Sequence, residues 1–257
     1  MINLLIRLGL LKRNTGLVPQ EDDKRDYLYR AAGITMDAVD MRPFIKPVTS
    51  QNGYNSCTSH AVCALLDYTL ANHKQIRAWQ EFNSSEAYLW YWSRARLGTE
   101  DENSGAILRD CFKDIMDYGF VPEEFWNYYD GIYNAPNLRA QTAGSFFKKF
   151  LPYLPAYYSI TPKLSNTVEK VKNALSNDHP VVFGIPVDTN FQRLRKSNSF
   201  VSEIAYSQSY HAMLIVGYTN EGFIIRNSWN RSWGDDGHCI IAFDLFQKKA
   251  FDIWTLM

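Results

Sequence analysis

The order of the predicted elements constrains the fold of this chain more than any other feature of its sequence. Apolar residues recur at helical spacing through much of residues 56–119, whereas short runs of branched and aromatic residues separated by Gly, Asn and Asp follow in the second half. Helices that precede strands, instead of alternating with them, are typical of an α+β protein. We therefore predict a helical lobe over residues 37–150, a β-rich lobe over residues 151–257, and a cleft where the lobes meet.

Three helices are predicted in the first half from their apolar spacing and their end signals. Ser56 is placed to cap the first helix, which should bury one side. Asn83 and Glu86 have the spacing of a capping box before an aromatic run, which predicts the second helix. The third helix is expected to open at Ser104 and to stop at Gly119, as a glycine C-cap would make it.

One more helix and several strands are predicted in the second half. The helix should run from Ser165 to Leu175 and end before Pro180. The predicted strands cover residues 181–187, 212–218, 223–226 and 238–243. The middle two are expected to form a hairpin across the turn at residues 220–222, which would bring their neighbouring residues side by side.

Composition excludes several classes of function. The chain carries 27 basic and 27 acidic side chains, so it has no net charge to hold a nucleic acid or a membrane surface. No run approaches the roughly 18 consecutive apolar residues of a membrane-spanning helix. The 4 cysteines lack paired spacing, which fits a protein with a free thiol better than a disulfide scaffold. We expect no nucleic-acid partner and no integral membrane segment, and we also expect a monomer.

Residues 1–36 precede the patterned region and are predicted to be an extension over its surface. The apolar stretch Met1–Leu11 is interrupted by Arg7 and followed by Lys12 and Arg13, whereas a signal peptide has its basic residues first. We expect a short amphipathic helix packed on the main body and synthesis in the cytoplasm, with delivery outside the cell by a non-classical route as an open alternative. The extension is also placed to lie across the cleft and restrain access to it.

Three residues have the chemistry of a nucleophilic catalytic unit. Cys57 falls in the first turn of a predicted helix, where unsatisfied amides favour thiolate over thiol. His211 stands just before a long apolar strand that could aim its ring across the cleft. Asn227 ends a strand that could pair beside that of His211, so its amide oxygen could orient the imidazole. For Cys57 alone, a buried structural thiol is the alternative.

The residues around this unit resemble the motifs of papain-like cysteine peptidases. The motifs are Gln51 to Cys57 (QNGYNSC), Tyr210 to Ala212 (YHA) and Asn227 to Gly237 (NSWNRSWGDDG). His211 and Asn227 lie 154 and 170 residues after Cys57, slightly beyond the usual spacing of about 130 to 150. The resemblance covers roughly residues 37–257 and is closest in pattern to bacterial members with few disulfides. It implies a papain-like two-lobed fold, hydrolysis of peptide or protein substrates through a thioester acyl-enzyme with a strongly depressed cysteine pKa, and no cofactor or metal.

The resemblance also implies roles for single residues. Gln51 would donate its side-chain amide to the oxyanion of a tetrahedral intermediate, beside the backbone N–H of Cys57. Trp229 would cover the hydrogen bond between Asn227 and His211. The residues expected to contact substrate are Ser104, Gly105, Ile107, Ala212 and Trp229. The first two would run their backbone against the peptide, and Ile107 and Ala212 would wall the apolar pocket for the second residue before the cut.

Departures from the family pattern leave two alternatives open. Tyr54 and Asn55 stand where the family has cysteine and glycine, and Thr58 stands where it has tryptophan. The usual disulfide there is impossible, and the groove could be reshaped. The same thiol chemistry could serve a transpeptidase or an amidase, or a closed cleft could leave a catalytically silent binding module.

The remaining cysteines and histidines are given structural interpretations. Cys57, His60 and Cys63 have the residue types of a metal site, but on a helix the outer two point about 120° apart. We therefore expect no metal there. Cys63, Cys111 and Cys239 are expected in the core, and His73, His179 and His238 on the surface or in turns.

Overall fold

The computed structural model describes residues 15–21, 23–72, 77–128, 133–160 and 166–257. The predicted helix over Met1–Leu11, His73 and the predicted helix start at Ser165 lie outside these residues. In the ranges described, none of the helices combines the length and the apolar character needed to cross a membrane.

Among the described residues, four helices of ten or more residues lie within residues 37–150, where a helical lobe is predicted, and further helices recur between the strands of the second half. They are α1 Cys57–Ala71, α2 Glu86–Ala95, α3 Leu108–Tyr118, α4 Leu138–Phe147, α5 Thr167–Ser176, α6 Thr189–Gln192 and α7 Phe243–Lys249. Short 3₁₀ turns cover Arg42–Phe44, Arg77–Glu81, Lys148–Tyr153 and Lys196–Asn198.

The strands form one sheet that is antiparallel except at one pair. They are β1 Val39–Asp40, β2 Tyr157–Ser159, β3 Val181–Pro186, β4 Phe200–Val201, β5 Tyr210–Tyr218, β6 Gly222–Arg226, β7 His238–Ala242 and β8 Phe251–Leu256. The order is β2-β8-β3-β5-β6-β7-β4, with β1 on β5 and a parallel pairing of β4 with β7. The predicted β5–β6 hairpin is confirmed.

Helix α1 runs through the interior, so the prediction that it buries one side only is wrong. Nearly every residue from Cys57 to Leu70 is buried, because α1 packs on α2 and α3 and also on β5. Its position matters for the site, because the N-terminal turn of α1 ends against the strand that carries His211.

Two helix starts differ from the sequence prediction, whereas α1 begins after Ser56 as expected, and Gly119 stops α3 as expected, with a φ of 78°. Ser56 stands at the N-cap of α1, but its side chain makes no capping hydrogen bond. The cap of α2 is Ser85, whose hydroxyl accepts from Tyr88 N, so the capping box assigned to Asn83 is wrong. Helix α3 starts at Leu108 instead of Ser104, because the preceding backbone is extended along the cleft.

Candidate active site

The sulfur of Cys57 lies where α1 meets β5. Cys57 is the first residue of α1 and is fully buried. Its Sγ accepts a hydrogen bond of 3.4 Å from the backbone N–H of Ala212. Because Ala212 directly follows His211 on β5, the sulfur lies against the backbone next to the predicted base, 154 residues further along the chain.

The ring of His211 is held by a hydrogen bond and by a stacked indole. Its Nε2 donates to Asn227 Oδ1 at 2.7 Å, and the Trp229 ring lies over it with centroids 4.3 Å apart and planes inclined by 21°. Because an amide oxygen can only accept, Nε2 carries the proton of this bond. Nδ1 is then the ring nitrogen that can take up a proton from a reacting group.

The pairing of β5 with β6 places Asn227 beside His211. Strand β6 ends at Arg226, opposite Leu214 of β5, so Asn227 leaves the sheet next to the strand that carries His211. The backbone N–H of Asn227 donates to Gly237 O at 3.0 Å, and its Oδ1 accepts from Ser228 N at 2.7 Å. These bonds fix the amide oxygen that faces the imidazole.

Gln51 is fully buried and fastened through every polar group of its side chain. Its Oε1 accepts from Ser228 Oγ at 2.7 Å, and its Nε2 donates to Tyr54 O at 2.6 Å. An amide nitrogen carries two hydrogens, so the contact with Tyr54 uses one of them. The chain around Gln51 is also tied to the opposite half of the fold, because Gln51 N donates to Ser228 O at 2.9 Å.

Residues 15–21, which we call the cleft segment, lie over this site. Leu17 N donates to Tyr210 O at 3.2 Å, and Val18 N donates to Ala106 O at 2.9 Å. Ala106 N in turn donates to Gly16 O at 2.8 Å, which makes a parallel bridge. The segment therefore occupies backbone partners on both walls of the cleft at once.

The side chain of Leu17 fills a pocket of the β-rich half. It is 6% exposed, and its Cδ2 lies where a side chain at Gly184 would stand, since an ideal Cβ there would be 2.3 Å away. The same Cβ would meet the Phe251 ring at 3.0 Å. Gly184 pairs with Ala212, one of the residues expected to wall the pocket for the second residue before the cut.

The predicted extension is also fastened outside the cleft. Asp26 forms an ion pair with Arg109 of α3, and both side chains are about nine-tenths buried. Tyr29 is 4% exposed, and its hydroxyl donates to Asn173 Oδ1 of α5 at 2.8 Å. The extension thus has one attachment over Cys57 and others on α3 and α5.

Burial under the cleft segment reverses the expected acidity of Cys57. Burial raises the pKa of the Cys57 thiol to about 12, although backbone N–H groups, among them those of Ala212 and Gly16, favour the thiolate. The depressed pKa expected from the sequence is therefore not found in this covered state. The physical reason is that loss of solvent disfavours the charged form more than the N–H groups stabilise it.

The residues expected to contact substrate differ in which groups surround them. Gly105 faces Gly16, whose oxygen would be 2.4 Å from an added Cβ, and Ile107 is the N-cap of α3. Ser104 turns its hydroxyl to Thr99 Oγ1 at 2.7 Å. The backbone pairing with the cleft segment is made by Ala106, which the sequence reasoning missed.

Gly184 was also missed, although the sequence carries a signal for it. A lone glycine inside a run of branched residues, as in VVFGIPV at residues 181–187, indicates a close approach by another group. Nothing local to Ala106 or Phe251 marks them, because their role depends on contacts with distant parts of the chain.

The departures from the family pattern have structural partners. Tyr54 packs against Trp90, with ring centroids 5.7 Å apart, and so supplies an aromatic contact in the position of the absent disulfide. Asn55 is tied to Asn103, whose Oδ1 accepts from Asn55 N at 2.8 Å. Thr58 is fully buried in α1. These residues therefore shape the wall of the helical half beside the cleft.

The other three cysteines, and the histidine between Cys57 and Cys63, lie in the interior of the fold. Cys63, Cys111 and Cys239 are buried, as expected. His60 is 1% exposed and its Nδ1 lies 3.0 Å from Ser56 O within α1. Across the described part of the chain, no three His, Cys, Asp or Glu side chains are grouped so as to hold a metal ion.

Sequence comparison places this geometry among known proteins. The pattern described as papain family cysteine protease matches residues 35–249. An uncharacterized peptidase C1-like protein of Acanthamoeba polyphaga mimivirus is 26% identical over 96% of this chain and 87% of its own length. Peptidase 1 of Dermatophagoides pteronyssinus is 28% identical over 80% of this chain, which spans 61% of that protein.

Solved structures show the same fold. Xylellain, a cysteine protease from Xylella fastidiosa, superposes with a TM-score of 0.82 at 24% identity, over 95% of this chain and 96% of that one. Digestive procathepsin L 3 of Tenebrio molitor superposes with a TM-score of 0.70 at 17% identity, over 100% of this chain and 78% of that one. The two-lobed α+β fold expected from the resemblance is confirmed, and the similar proteins come from a virus, arthropods and a bacterium.

Proposed function

The chain belongs to the papain family of cysteine proteases, and we propose that it hydrolyses peptide bonds with Cys57 as nucleophile, His211 as acid and base, and Asn227 as orienter. The observation that carries this proposal is the convergence at one point of the Cys57 sulfur, the strand of His211 and the 2.7 Å bond from His211 to Asn227. These residue types in this arrangement are what thiol catalysis requires.

The chemistry begins when His211 Nδ1 accepts the proton of Cys57 Sγ. The sulfur attacks the carbonyl carbon of the scissile peptide, and the C–S bond forms as the carbonyl electrons move to oxygen. The C–N bond then breaks, and His211 gives the proton to the leaving amine, which leaves a thioester. Water attacks the thioester with His211 as base, the C–S bond breaks, and the acid product leaves with the thiol restored.

Asn227 and Trp229 support this cycle by controlling one ring. The bond from Nε2 to Asn227 Oδ1 keeps the proton on Nε2, so Nδ1 stays available to the sulfur. The Trp229 ring stacked on His211 keeps water away from that bond. Gln51 and the backbone N–H of Cys57 would donate to the oxygen that becomes negative in the tetrahedral intermediate.

We further propose that residues 1–36 form an inhibitory leader on a catalytic domain over residues 37–257. Support comes from the cleft segment, which bridges Ala106 and Tyr210 and buries Cys57. The segment meets the sulfur through the backbone N–H of Gly16. Displacing the segment would admit both substrate and water to the thiol.

Leu17 indicates the side chain that the enzyme would select in a substrate. It occupies an apolar pocket beside Gly184 and Phe251, next to the strand of Ala212. Burying a leucine side chain contributes about 2 kcal/mol, or more than a tenfold preference over a small residue. We propose that substrates carry a leucine-like residue two positions before the cut. The absence of a side chain at Gly184 contributes to the depth of the pocket that would hold it.

Replacing Gly184 by Val is expected to lower kcat/KM for peptides with leucine at that position by about tenfold or more. The added side chain would take the space of the leucine, since even a Cβ would lie 2.3 Å from Leu17 Cδ2. The measurement compares kcat/KM for two peptides that differ only in leucine or alanine at this position. An equal loss for both peptides would show a general disturbance instead of a filled pocket.

The proposed nucleophile can be identified by mass. The chain is incubated with an epoxide inactivator of cysteine proteases, digested, and mapped for the sulfur that gains mass. We expect the label on Cys57, which displacement of the cleft segment would expose, and none on Cys63, Cys111 or Cys239, which are buried in the core. Label on another sulfur, with loss of hydrolysis, would overturn the assignment.

A further inference from the structure

We infer that Tyr128 is a positioning residue for the oxyanion site, because its single hydroxyl joins the backbone of Gln51 to the residue before Cys57. The inference rests on the proposed function, in which Gln51 and the Cys57 N–H are the two donors to the oxyanion. Tyr128 lies outside the motifs that the sequence analysis used, in the segment between α3 and α4.

The hydroxyl of Tyr128 contacts Gln51 and Ser56, and the donor in each contact follows from the number of protons available. It lies 3.0 Å from Gln51 O and 2.5 Å from Ser56 Oγ. A carbonyl can only accept, so the one tyrosine proton goes to Gln51 O. The proton between Tyr128 and Ser56 therefore comes from Ser56, which donates to the tyrosine oxygen.

These contacts explain why Ser56 does not cap α1. Its hydroxyl is turned to Tyr128 and is not used for the free N–H groups at the start of the helix. Gln51 O also accepts from Tyr54 N at 3.0 Å, so two donors fix its direction. The loop from Gln51 to Cys57 is thereby pinned at both ends by one phenol oxygen.

Tyr128 is itself held rigidly. It is 3% exposed, and its backbone N–H donates to Glu123 Oε1 at 2.7 Å. The edges of two other rings pack against it, with centroids 5.0 Å away for His60 and 5.9 Å away for Tyr54. A hydroxyl held in this way restricts the positions of the groups to which it is hydrogen-bonded.

The effect of this oxygen should be confined to steps that form an oxyanion. Donors to an oxyanion act through preorganised position, and removal of one donor outright costs on the order of 100-fold in rate. Loosening both donors without removing either should cost less. We expect about a tenfold loss in Tyr128→Phe, which deletes the oxygen and keeps the ring.

Three measurements on the full chain separate this effect from general damage. The first is kcat/KM for a peptide, and the second is the dissociation constant of a peptide aldehyde, which forms a tetrahedral adduct with the thiol. The third is the rate of alkylation by iodoacetamide, which needs an open cleft and a reactive thiol but forms no oxyanion. In Tyr128→Phe we expect about a tenfold loss in the first two and less than a twofold change in the third.

Tyr88→Phe is the matched control. Tyr88 is 2% exposed, and its hydroxyl donates to the backbone oxygen of Tyr118 at 2.9 Å, in the same half of the fold but away from Gln51. We expect all three measurements to stay within twofold of the wild type. In a Gln51→Ala background, Tyr128→Phe should cost about threefold or less, because one of the two donors it positions is already gone.

Each other outcome decides the question. Equal losses in all three measurements would assign Tyr128 a purely structural role, and no loss in any would also overturn the inference. A wild-type chain that binds the aldehyde but hydrolyses no peptide would contradict the proposed function, while the aldehyde comparison would still test Tyr128. A wild-type chain that binds no aldehyde would overturn both.

Discussion

Replacing Cys57 by Ala is expected to lower peptide hydrolysis by at least about 10⁴-fold and to abolish labelling by epoxide inactivators. The change removes the sulfur that accepts a hydrogen bond from the backbone N–H of Ala212, directly after His211 on β5. No neighbouring side chain can replace it as a nucleophile, because the acyl-enzyme requires a covalent bond to the group at the start of α1. Initial rates with a peptide substrate measure the loss.

Cys239→Ala supplies the comparison for this variant. Cys239 is 2% exposed on β7 and is also a buried thiol, but it lies away from His211 and Gln51. We expect this variant to keep its hydrolysis and its label. Hydrolysis that survives in Cys57→Ala would refute the assignment of the nucleophile, and loss in both variants would indicate that the fold does not tolerate either change.

Replacing Leu17 by Asp in the full chain is expected to raise both peptide hydrolysis and alkylation of Cys57 by roughly 10-fold to 100-fold. Leu17 is 6% exposed against Gly184 and Phe251, and its burial contributes about 1.5 to 3 kcal/mol to the closed state. A carboxylate cannot enter that pocket without a further desolvation cost. The fraction of molecules in which the cleft is open should rise accordingly.

Displacement of the cleft segment should also change the pH dependence of alkylation. In the closed state the pKa of Cys57 is about 12, so the thiolate is scarce at neutral pH and the rate climbs with pH toward that value. Opening the cleft restores solvent, which stabilises the charged form and lowers the pKa. The alkylation midpoint of Leu17→Asp should therefore move to lower pH than that of the wild type.

Val18→Asp is the matched control for Leu17→Asp. Val18 is the next residue, is 38% exposed, and joins the cleft wall through its backbone N–H instead of its side chain. The same charge at this position should leave rates and midpoint near those of the wild type. Equal activation by both variants would attribute the effect to negative charge near the cleft, and no activation by Leu17→Asp would contradict an inhibitory leader.

The sequence predicts the parts of this molecule whose signals are local. The helix stop at Gly119 and the β5–β6 hairpin follow from residue patterns a few positions long, the α+β class follows from the order of such patterns along the chain, and the structure confirms all three. Predicting that Cys57 and His211 act together needs a further step, because they are 154 residues apart. That prediction rests on the order of the motifs along the chain. The individual catalytic roles remain predictions that the variants above test.

What the sequence could not predict depends on distant partners. Ser56 has the residue type of a helix cap, and only the position of Tyr128 makes another hydrogen bond available to its hydroxyl. Helix α1 was expected to expose one side, and packing on β5 as well as on α2 buries the rest. The raised pKa of Cys57 likewise comes from burial by distant parts of the chain, which outweighs the hydrogen bonds from Ala212 and Gly16 that lower it.

If residues 1–36 act as the proposed inhibitory leader, the separate anchors at Asp26 and Tyr29 mean that the leader need not leave the molecule when it leaves the cleft. A tethered competitor has an effective concentration that can reach the millimolar range, and dilution does not reduce it. An incoming peptide must therefore outcompete a neighbour that stays within reach. The leader would raise the concentration of peptide needed for entry, so that weak ligands require more of it than tight ones, whatever the concentration of enzyme.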